Sequence, residues 1–209
     1  SLTQAREENQ RVASEDGQLA AEEKALAELL LQNDAELWPA VIDAVTVEPG
    51  YEAALGAALG DDLNVSTDEA APVHWRTLAP RGDAADLPNG ATPLSRYVQA
   101  PDALARRLSQ VGVVDEGDAD RLSKELVYGQ RLVSAGGALW RWDGFTVTAG
   151  AETAAAVRLA QGNRLAELRQ LRADMSPALE RAKDGLVAAR DNLAEAERAR
   201  ATAREAARL

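Results

Sequence analysis

The sequence predicts a mixed α/β globular domain flanked by two long helices, which pair as an antiparallel coiled-coil stub. Twelve of the 15 glycines, seven of the eight prolines and all eight aromatic residues fall between residues 37 and 156. The flanking segments, 1–36 and 157–209, are poor in glycine and proline and rich in alanine, which favours helix. Both flanks also show a seven-residue apolar repeat. We therefore expect an N-terminal arm, a globular core and a C-terminal arm.

The composition excludes several classes of function. The chain has 34 acidic and 23 basic residues, and its net charge of −11 excludes a wholly basic nucleic-acid surface. The absence of cysteine excludes disulfides, zinc–thiolate sites, Fe–S clusters and a cysteine nucleophile. His74 is the only histidine, which excludes a multi-histidine metal site and most His-centred triads. We expect no catalytic residue and no metal site.

Targeting signals are also missing from the sequence. No apolar run approaches the ~20 residues of a membrane span, and the first residues lack the basic-then-apolar pattern of a signal segment. We expect a soluble, cytoplasmic protein without a membrane partner.

The C-terminal arm has the clearer heptad repeat. One register holds leucines and ends in alanine: Leu165, Leu179, Leu186, Leu193 and Ala207, with Arg172 and Arg200 interrupting it. The second register, three residues on, contains Leu168, Met175, Ala182, Ala189, Ala196 and Ala203. This is the a/d pattern of a coiled coil. Ser176-Pro177 predicts a local break, because proline lacks the N–H that an internal helical bond requires.

The N-terminal arm has a weaker repeat and needs a partner. Its apolar positions are Ala5, Val12, Leu19 and Leu26. Fifty-three helical residues in the C-terminal arm would span roughly 80 Å, much more than a small core can cover. The net charges of the arms, −6 and +3, attract each other. Antiparallel pairing is therefore favoured over the alternative, in which each arm packs separately on the core.

The core alternates short strands and helices. Its apolar runs and turn residues predict strands at 41–47, 111–114, 130–134, 138–142 and 145–148, and helices at 51–59, 101–110 and 118–126. Asp143-Gly144 is a strong hairpin signal between the last two strands. Trp140 and Trp142 share one face of their strand, and packing in the core or a dimer is favoured over base stacking.

Two segments resemble the hinge domain of SMC proteins (structural maintenance of chromosomes). Residues 41–60, VIDAVTVEPGYEAALGAALG, resemble its opening strand, turn and Tyr-Glu-x-Ala helix. Residues 132–150, LVSAGGALWRWDGFTVTAG, resemble its closing motif, which spaces glycines as Gly-x6-Gly-x3-Gly-Gly. Gly137 and Gly144 fit the first two positions. Thr148 and Ala149 occupy the terminal pair, and Gly150 follows one residue later.

The resemblance implies a hinge of the bacterial, condensin type that joins two SMC chains as a homodimer in chromosome condensation and segregation. It places the dimer interface at Gly137, Gly144, Thr148, Ala149 and Gly150. It also implies an ATPase head with ATP and Mg elsewhere in the parent protein, where other condensin subunits are expected, and a nucleoid-associated location. No phosphate-binding loop occurs in this sequence, so no cofactor is expected here and the fragment is not expected to be an enzyme.

A second function class is a sequence-independent DNA-binding module whose dimerisation is incidental. Arg158, Arg164, Arg169 and Arg172 gather at the start of the C-terminal arm, with Glu167 as the one acid among them. They could bind DNA weakly through its phosphates. Alternatively, the same arginines pair with the acidic N-terminal arm.

Other polar residues have simpler interpretations. Asp61-Asp62 and Asp115-Glu116 fit solvated turn and cap positions better than a cation site, because no further oxygen ligands accompany them. His74 fits a packed or surface position better than a catalytic base, since no nucleophile motif accompanies it.

Overall fold

The computed structural model describes residues 1–31, 38–79, 82, 84–151 and 153–206 of the 209-residue chain. Residues 32–36 of the predicted N-terminal arm, residue 37 of the predicted core, and Ala207 at the end of the predicted seam lie outside the described residues. The chain forms two compact units. The arm unit contains Ser1–Ala27 and Leu165–Leu209, and the globular unit contains Glu28–Arg164.

The arm unit consists of one helix from each end of the chain. Helix α1 spans Leu2–Leu31, and helix α5 spans Ala154–Ala206, of which the part from Leu165 belongs to this unit. The residues shielded from solvent follow the heptad spacing in both helices. In α1 they include Leu2, Ala5, Asn9, Val12, Asp16, Leu19, Glu23 and Leu26. In α5 they include Leu165, Leu168, Arg172, Met175, Leu179, Ala182, Leu186 and Ala189. The predicted seam is confirmed from Leu165 to Ala189, whereas its predicted continuation at Leu193, Ala196 and Ala203 is wrong, because those residues are exposed.

Ion pairs between the two helices show that they run antiparallel. Asp16 pairs with Arg172, and Glu23, one heptad later in α1, pairs with Arg169, which precedes Arg172 in α5. The chain direction is therefore opposite in the two helices, as the sequence predicted.

The predicted break at Ser176-Pro177 is wrong, because α5 continues through Pro177. Proline removes only the one backbone bond that its own N–H would donate. Pro177 lies on the exposed side of the helix, where water can hydrate the carbonyl that loses its donor. The seam on the other side keeps its spacing through Met175 and Leu179.

The globular unit is built on a five-stranded mixed sheet. Its strands are β2 (Thr92–Pro93), β4 (Val111–Val113), β5 (Arg131–Val133), β6 (Leu139–Arg141) and β7 (Thr146–Val147). They lie in the order β2-β4-β5-β6-β7. Only β4 and β5 are parallel, and β5, β6 and β7 form consecutive antiparallel hairpins. A separate two-stranded sheet pairs β1 (Thr46–Val47) with β3 (Val98–Gln99).

Helices cover both faces of the sheet. Helix α2 (Glu52–Leu59) contacts β5 and β6, and so does α4 (Glu116–Ser123). Side chains alternate along a strand, so Val133 and Leu139 join the main core with Leu55 of α2, whereas Leu132 packs with Leu122 of α4. The short helix α3 (Ala105–Leu108) also adds Leu108 to the main core.

The sequence located most elements of the globular unit but misread three. The predicted strand 41–47 is a 3₁₀ turn at Val41–Ala44 followed by β1, because the turn buries the adjacent residues Val41 and Ile42 together. The predicted helix 101–110 is a 3₁₀ turn at Asp102–Leu104 continued by α3. The predicted helix 118–126 begins and ends earlier, at Glu116 and Ser123, with Asp115 at the N-cap position and Lys124 at the C-cap position.

Candidate dimer interface

The closing hairpins contain the residues that the sequence assigns to the dimer interface. Arg141 N–H donates to Phe145 O at 2.9 Å, and Gly144 N–H donates to Arg141 O at 3.0 Å. Asp143-Gly144 therefore forms the predicted tight turn, with Gly144 at a φ of +88°. This φ lies in the left-handed region that glycine adopts without strain. A Cβ on Gly144 would meet no atom within 4 Å, so the turn is an open surface.

Gly137 has a packing role inside the chain. It is buried, and its φ is +83°. A Cβ built on Gly137 would lie 3.2 Å from the Ala53 Cβ and 3.4 Å from the Ala53 carbonyl oxygen. The glycine therefore allows the turn between β5 and β6 to approach helix α2 closely. Its interface role stays a prediction.

The remaining predicted interface residues are exposed. Thr148, Ala149 and Gly150 follow β7 directly, and all three are open to solvent. Gly150 N–H donates to Gly136 O at 3.1 Å, which holds this segment against the β5–β6 turn. The structure thus places three of the predicted residues together at the end of the last strand.

Strand β7 is an edge strand of the five-stranded sheet. Phe145 and Val147 direct their backbone groups toward β6, because Arg141 bonds to Phe145 and Leu139 lies opposite Val147. Backbone groups alternate along an antiparallel strand, so Thr146 and Thr148 direct their N–H groups away from the sheet. No described strand pairs with this outer edge.

An aromatic surface adjoins the edge. Tyr128, Trp142 and Phe145, which we call the hairpin patch, are 86%, 42% and 52% exposed. The Tyr128 and Trp142 rings meet edge to face, with centroids 4.9 Å apart. The Arg141 guanidinium lies 5.1 Å from the centroid of Phe145, a cation–π distance. These contacts hold large apolar rings in place at the surface.

The two tryptophans that the sequence singled out have different environments. Trp140 is half-buried against the cluster that contains Leu122 and Leu132, and Trp142 belongs to the hairpin patch. Sequence analysis missed Tyr128 and Phe145. The signal for Phe145 was an aromatic residue directly after the Asp-Gly turn.

The structure places Arg158, Arg169 and Arg172 of the arginine cluster in ion pairs. In the globular unit, Arg158 donates to the Asp43 carboxylate. In the arm unit, Arg169 Nε donates to Glu23 Oε1 at 3.2 Å, and Arg172 donates to both Asp16 and Glu23. The pairs in the arm unit agree with the alternative interpretation of these residues, as partners of the acidic arm.

The other polar candidates also have structural contacts. His74 Nδ1 donates to the Ala71 carbonyl oxygen at 2.8 Å, and Asp62 lies 3.8 Å from Arg107. Glu116 accepts a hydrogen bond from the Ser134 hydroxyl at 2.9 Å. No group of three or more His, Cys, Asp and Glu side chains suited to a metal ion occurs among the described residues. None of the helices in the described ranges is long and apolar enough to span a bilayer.

Two curated relatives share nearly half their residues with this chain over the matched region. The "Chromosome partition protein Smc" of Rhodopseudomonas palustris is 45% identical over 150 residues, which are 72% of this chain and 13% of that protein. The protein of the same name from Cereibacter sphaeroides is 47% identical over 145 residues, which are 68% of this chain and 12% of that protein. The chain therefore spans about an eighth of the length of these relatives. No family model matches the chain.

The fold agrees with the sequence relationship. An asymmetric dimer of the Geobacillus stearothermophilus SMC hinge domain superposes with a TM-score of 0.65 and 22% identity, covering 92% of this chain and 96% of that one. The chain therefore belongs to the bacterial SMC proteins, and it has the fold of an SMC hinge domain.

Proposed function

We propose that this chain joins two SMC chains by pairing with a second copy of itself through the outer edge of β7 and the hairpin patch. The observation that carries the proposal is the edge itself, where unpaired backbone groups adjoin exposed aromatic rings. Open strand edges pair readily with another strand. Aromatic residues are also enriched in protein–protein interfaces.

The location of the predicted interface residues supports the same surface. Thr148, Ala149 and Gly150 extend the chain directly beyond β7, and Gly144 forms the turn before it. Alanine and glycine at this position let a second backbone approach closely, as the glycine pair of the family would. The arm unit then gives each protomer one antiparallel coiled coil.

The names of the relatives indicate the process in which the parent protein acts. Both are chromosome partition proteins, of which this chain matches 13% and 12%. We infer that the parent protein acts in the cytoplasm at the nucleoid, and that its ATPase head and further subunits lie outside this region. We do not extend the proposal to DNA, because the described contacts of Arg158, Arg169 and Arg172 are with carboxylates of the same chain. DNA binding by the cluster stays a prediction from sequence.

Solution mass tests the proposal directly. The 209-residue chain should give about twice 22.2 kDa by light scattering at micromolar concentration. The variant Thr146→Pro removes an N–H from the outer edge while sparing the bonds to β6, because proline is tolerated where an edge strand faces away from its sheet. Combined with Phe145→Ser, it should yield a monomer.

The control replaces an equally exposed apolar residue elsewhere in the globular unit. Val73 is 68% exposed, and Val73→Ser should remain a dimer. Circular dichroism should show the same helix content in all three proteins. A monomeric parent chain, or a dimer that survives the double change, would show that the chains do not meet at this edge.

A further inference from the structure

We propose that Arg172, held between Asp16 and Glu23, fixes the register in which the two arm helices pair. The three residues occupy seam positions that are otherwise mostly apolar. Arg172 Nε donates to Asp16 Oδ1 at 2.9 Å, and its Nη1 donates to Glu23 Oε2 at 2.6 Å. We call these residues the seam triad.

Heptad spacing puts both carboxylates on the same stripe of α1. That stripe is Leu2, Asn9, Asp16, Glu23 and Leu30, and each of these side chains is partly shielded. Arg172 occupies the corresponding stripe of α5, between Leu165 and Leu179. The side chains of Asp16, Glu23 and Arg172 are 23%, 21% and 36% exposed. The charges therefore sit at the interface of the helices and not on their outer surfaces.

The ion pairs define one register. Arg172 bonds to carboxylates on either side of Leu19, so it lies opposite Leu19. Counting heptads outward in opposite directions then places Val12 opposite Leu179 and Leu26 opposite Leu165. Val12, opposite Leu179, is 3% exposed, and Leu165, opposite Leu26, is 8% exposed. Both values are expected for a residue that faces the other helix in the seam. The register deduced from charge and the burial of the apolar residues agree.

If one arm helix slides by one heptad along the other, Arg172 loses one of its two ion pairs in the seam triad. Such a slip moves one helix about 10 Å along the other. It puts Arg172 opposite Leu26, which removes Asp16 from its reach, or opposite Val12, which removes Glu23. A seam carboxylate without a partner is unfavourable, because the interface shields it from water. The small alanine and leucine layers elsewhere in the seam discriminate little between these registers.

The electrostatic environment agrees with this role. Hydrogen bonds from Arg172 and then from Arg169 lower the pKa of the Glu23 carboxyl below its ordinary value. The hydrogen bonds that Arg172 donates to Asp16 and Glu23 raise the pKa of the Arg172 guanidinium. Glu23 and Arg172 are therefore charged at neutral pH. Charged groups placed in a coiled-coil seam select among arrangements more than they add stability.

Cysteine pairs can report the register, because the chain has no native cysteine. Val12→Cys with Leu179→Cys reports the observed register. Val12→Cys with Leu186→Cys, and Leu19→Cys with Leu165→Cys, report a slip of one heptad in either direction. With a short thiol-to-thiol cross-linker, the first pair should react within one chain about tenfold more than either slipped pair.

Changing the triad should relax this preference. In an Asp16→Ala, Glu23→Ala, Arg172→Ala background, the ratio of observed to slipped cross-links should fall by about tenfold. The matched control is Glu8→Ala, Arg11→Ala, Glu15→Ala. These residues form the same kind of triad within α1, but their side chains are 56%, 55% and 49% exposed. The control should keep the parent ratio.

A charge-reversed variant distinguishes the effect of charge from the effect of packing on the register. It also tests whether the seam triad fixes the register if the alanine variant loses its helical structure. Asp16→Arg, Glu23→Arg, Arg169→Glu and Arg172→Glu together recreate the pairs with opposite signs, and should restore the parent ratio. If the alanine variant stays helical and keeps its ratio, the junctions with the globular unit set the register and the proposal is wrong. A charge-reversed variant that is helical yet cross-links in slipped registers would also overturn it. Solution mass should not change in any variant, which separates this outcome from the dimerisation proposal.

Discussion

Gly56 of α2 meets Ala156 of α5 so closely that a Cβ built on Gly56 would lie 2.8 Å from the Ala156 Cβ and 2.9 Å from its backbone nitrogen. Both residues belong to the globular unit. The first turns of α5 thus pack against α2 through a glycine, and Ala155 and Leu159 beside this contact are part of the main core.

The Gly56 contact predicts a severe effect of one added methyl group. Gly56→Ala should lower the free energy of unfolding by about 2 kcal/mol, because overpacking outweighs the better helix propensity of alanine. Gly162 of α5 is the control, since its added Cβ would meet nothing within 4 Å. Gly162→Ala should raise stability by up to about 1 kcal/mol. Urea unfolding measures both, and equal effects of the two changes would contradict the packing argument.

Replacing the buried Gln130 should also lower stability, because polar groups around its side chain would lose hydrogen bonds. It is fully buried, and its amide donates to Asp86 O at 3.0 Å and to Ala85 O at 3.3 Å. Its oxygen accepts from Val127 N–H at 3.2 Å. Gln130→Met keeps the length but removes the hydrogen bonds to Asp86 O and from Val127 N–H, so we expect a loss of about 2–4 kcal/mol in the free energy of unfolding.

The control for Gln130 is a glutamine that stays in water. Gln99 lies on β3 and is exposed, so Gln99→Met should change the free energy of unfolding by less than about 0.5 kcal/mol. Chemical denaturation with tryptophan fluorescence follows both variants. A Gln130→Met protein as stable as the parent would show that water replaces the lost hydrogen bonds.

Tyr51 and Tyr97 predict an alkaline transition in the globular unit. Their rings stack with centroids 3.9 Å apart. A hydrogen bond with Tyr97, and then desolvation, raise the pKa of the Tyr51 hydroxyl above its ordinary value of 10.0. The folded state therefore favours the neutral phenol. This stabilisation is complete below pH 10.0 and is lost as the pH rises through the raised pKa.

Ultraviolet titration of the phenols tests this relationship. Tyr97→Phe removes the hydrogen bond and should shift the Tyr51 titration toward lower pH. Tyr128→Phe is the control, because Tyr128 is 86% exposed and lies apart from the stack. The prediction is wrong if both variants leave the same Tyr51 titration as in the parent chain.

The ion pairs of Glu23 lead us to expect that the arm unit loses stability at acidic pH. Its pKa is lowered from 4.5, first by the hydrogen bond from Arg172. The ion pair therefore contributes fully above pH 4.5 and is lost as the pH falls through the lowered pKa. The helix melting temperature should fall below that pH in the parent chain, and fall less in Glu23→Gln. Circular dichroism at 222 nm, a wavelength that reports helix, follows this difference, and parallel pH profiles would contradict it.

The sequence predicted an element correctly where neighbouring residues alone determine that element. The heptad seam, helix α2 and the β5–β6–β7 hairpins follow from short-range patterns, namely apolar spacing, Gly60 at a helix end and the Asp-Gly turn. The run from Val41 to Val47 misled, because β-branched residues favour a strand whereas Val41 and Ile42 are buried together in a turn. Pro177 led to the wrong prediction of a helix break. The helix continues there, because packing along the long seam maintains it across a single missing hydrogen bond.

The sequence by itself determined the division into arms and core, the antiparallel pairing implied by opposite charge, and the resemblance to SMC hinges. Only the tertiary structure decided which side chains meet across long separations in the chain. It placed Gly137 in the interior, against Ala53, and gathered Tyr128 and Trp142 at the surface. It also placed Arg172 between Asp16 and Glu23. Such contacts depend on how elements pack and not on local spacing, because residues far apart in the chain become neighbours only when the core is closed.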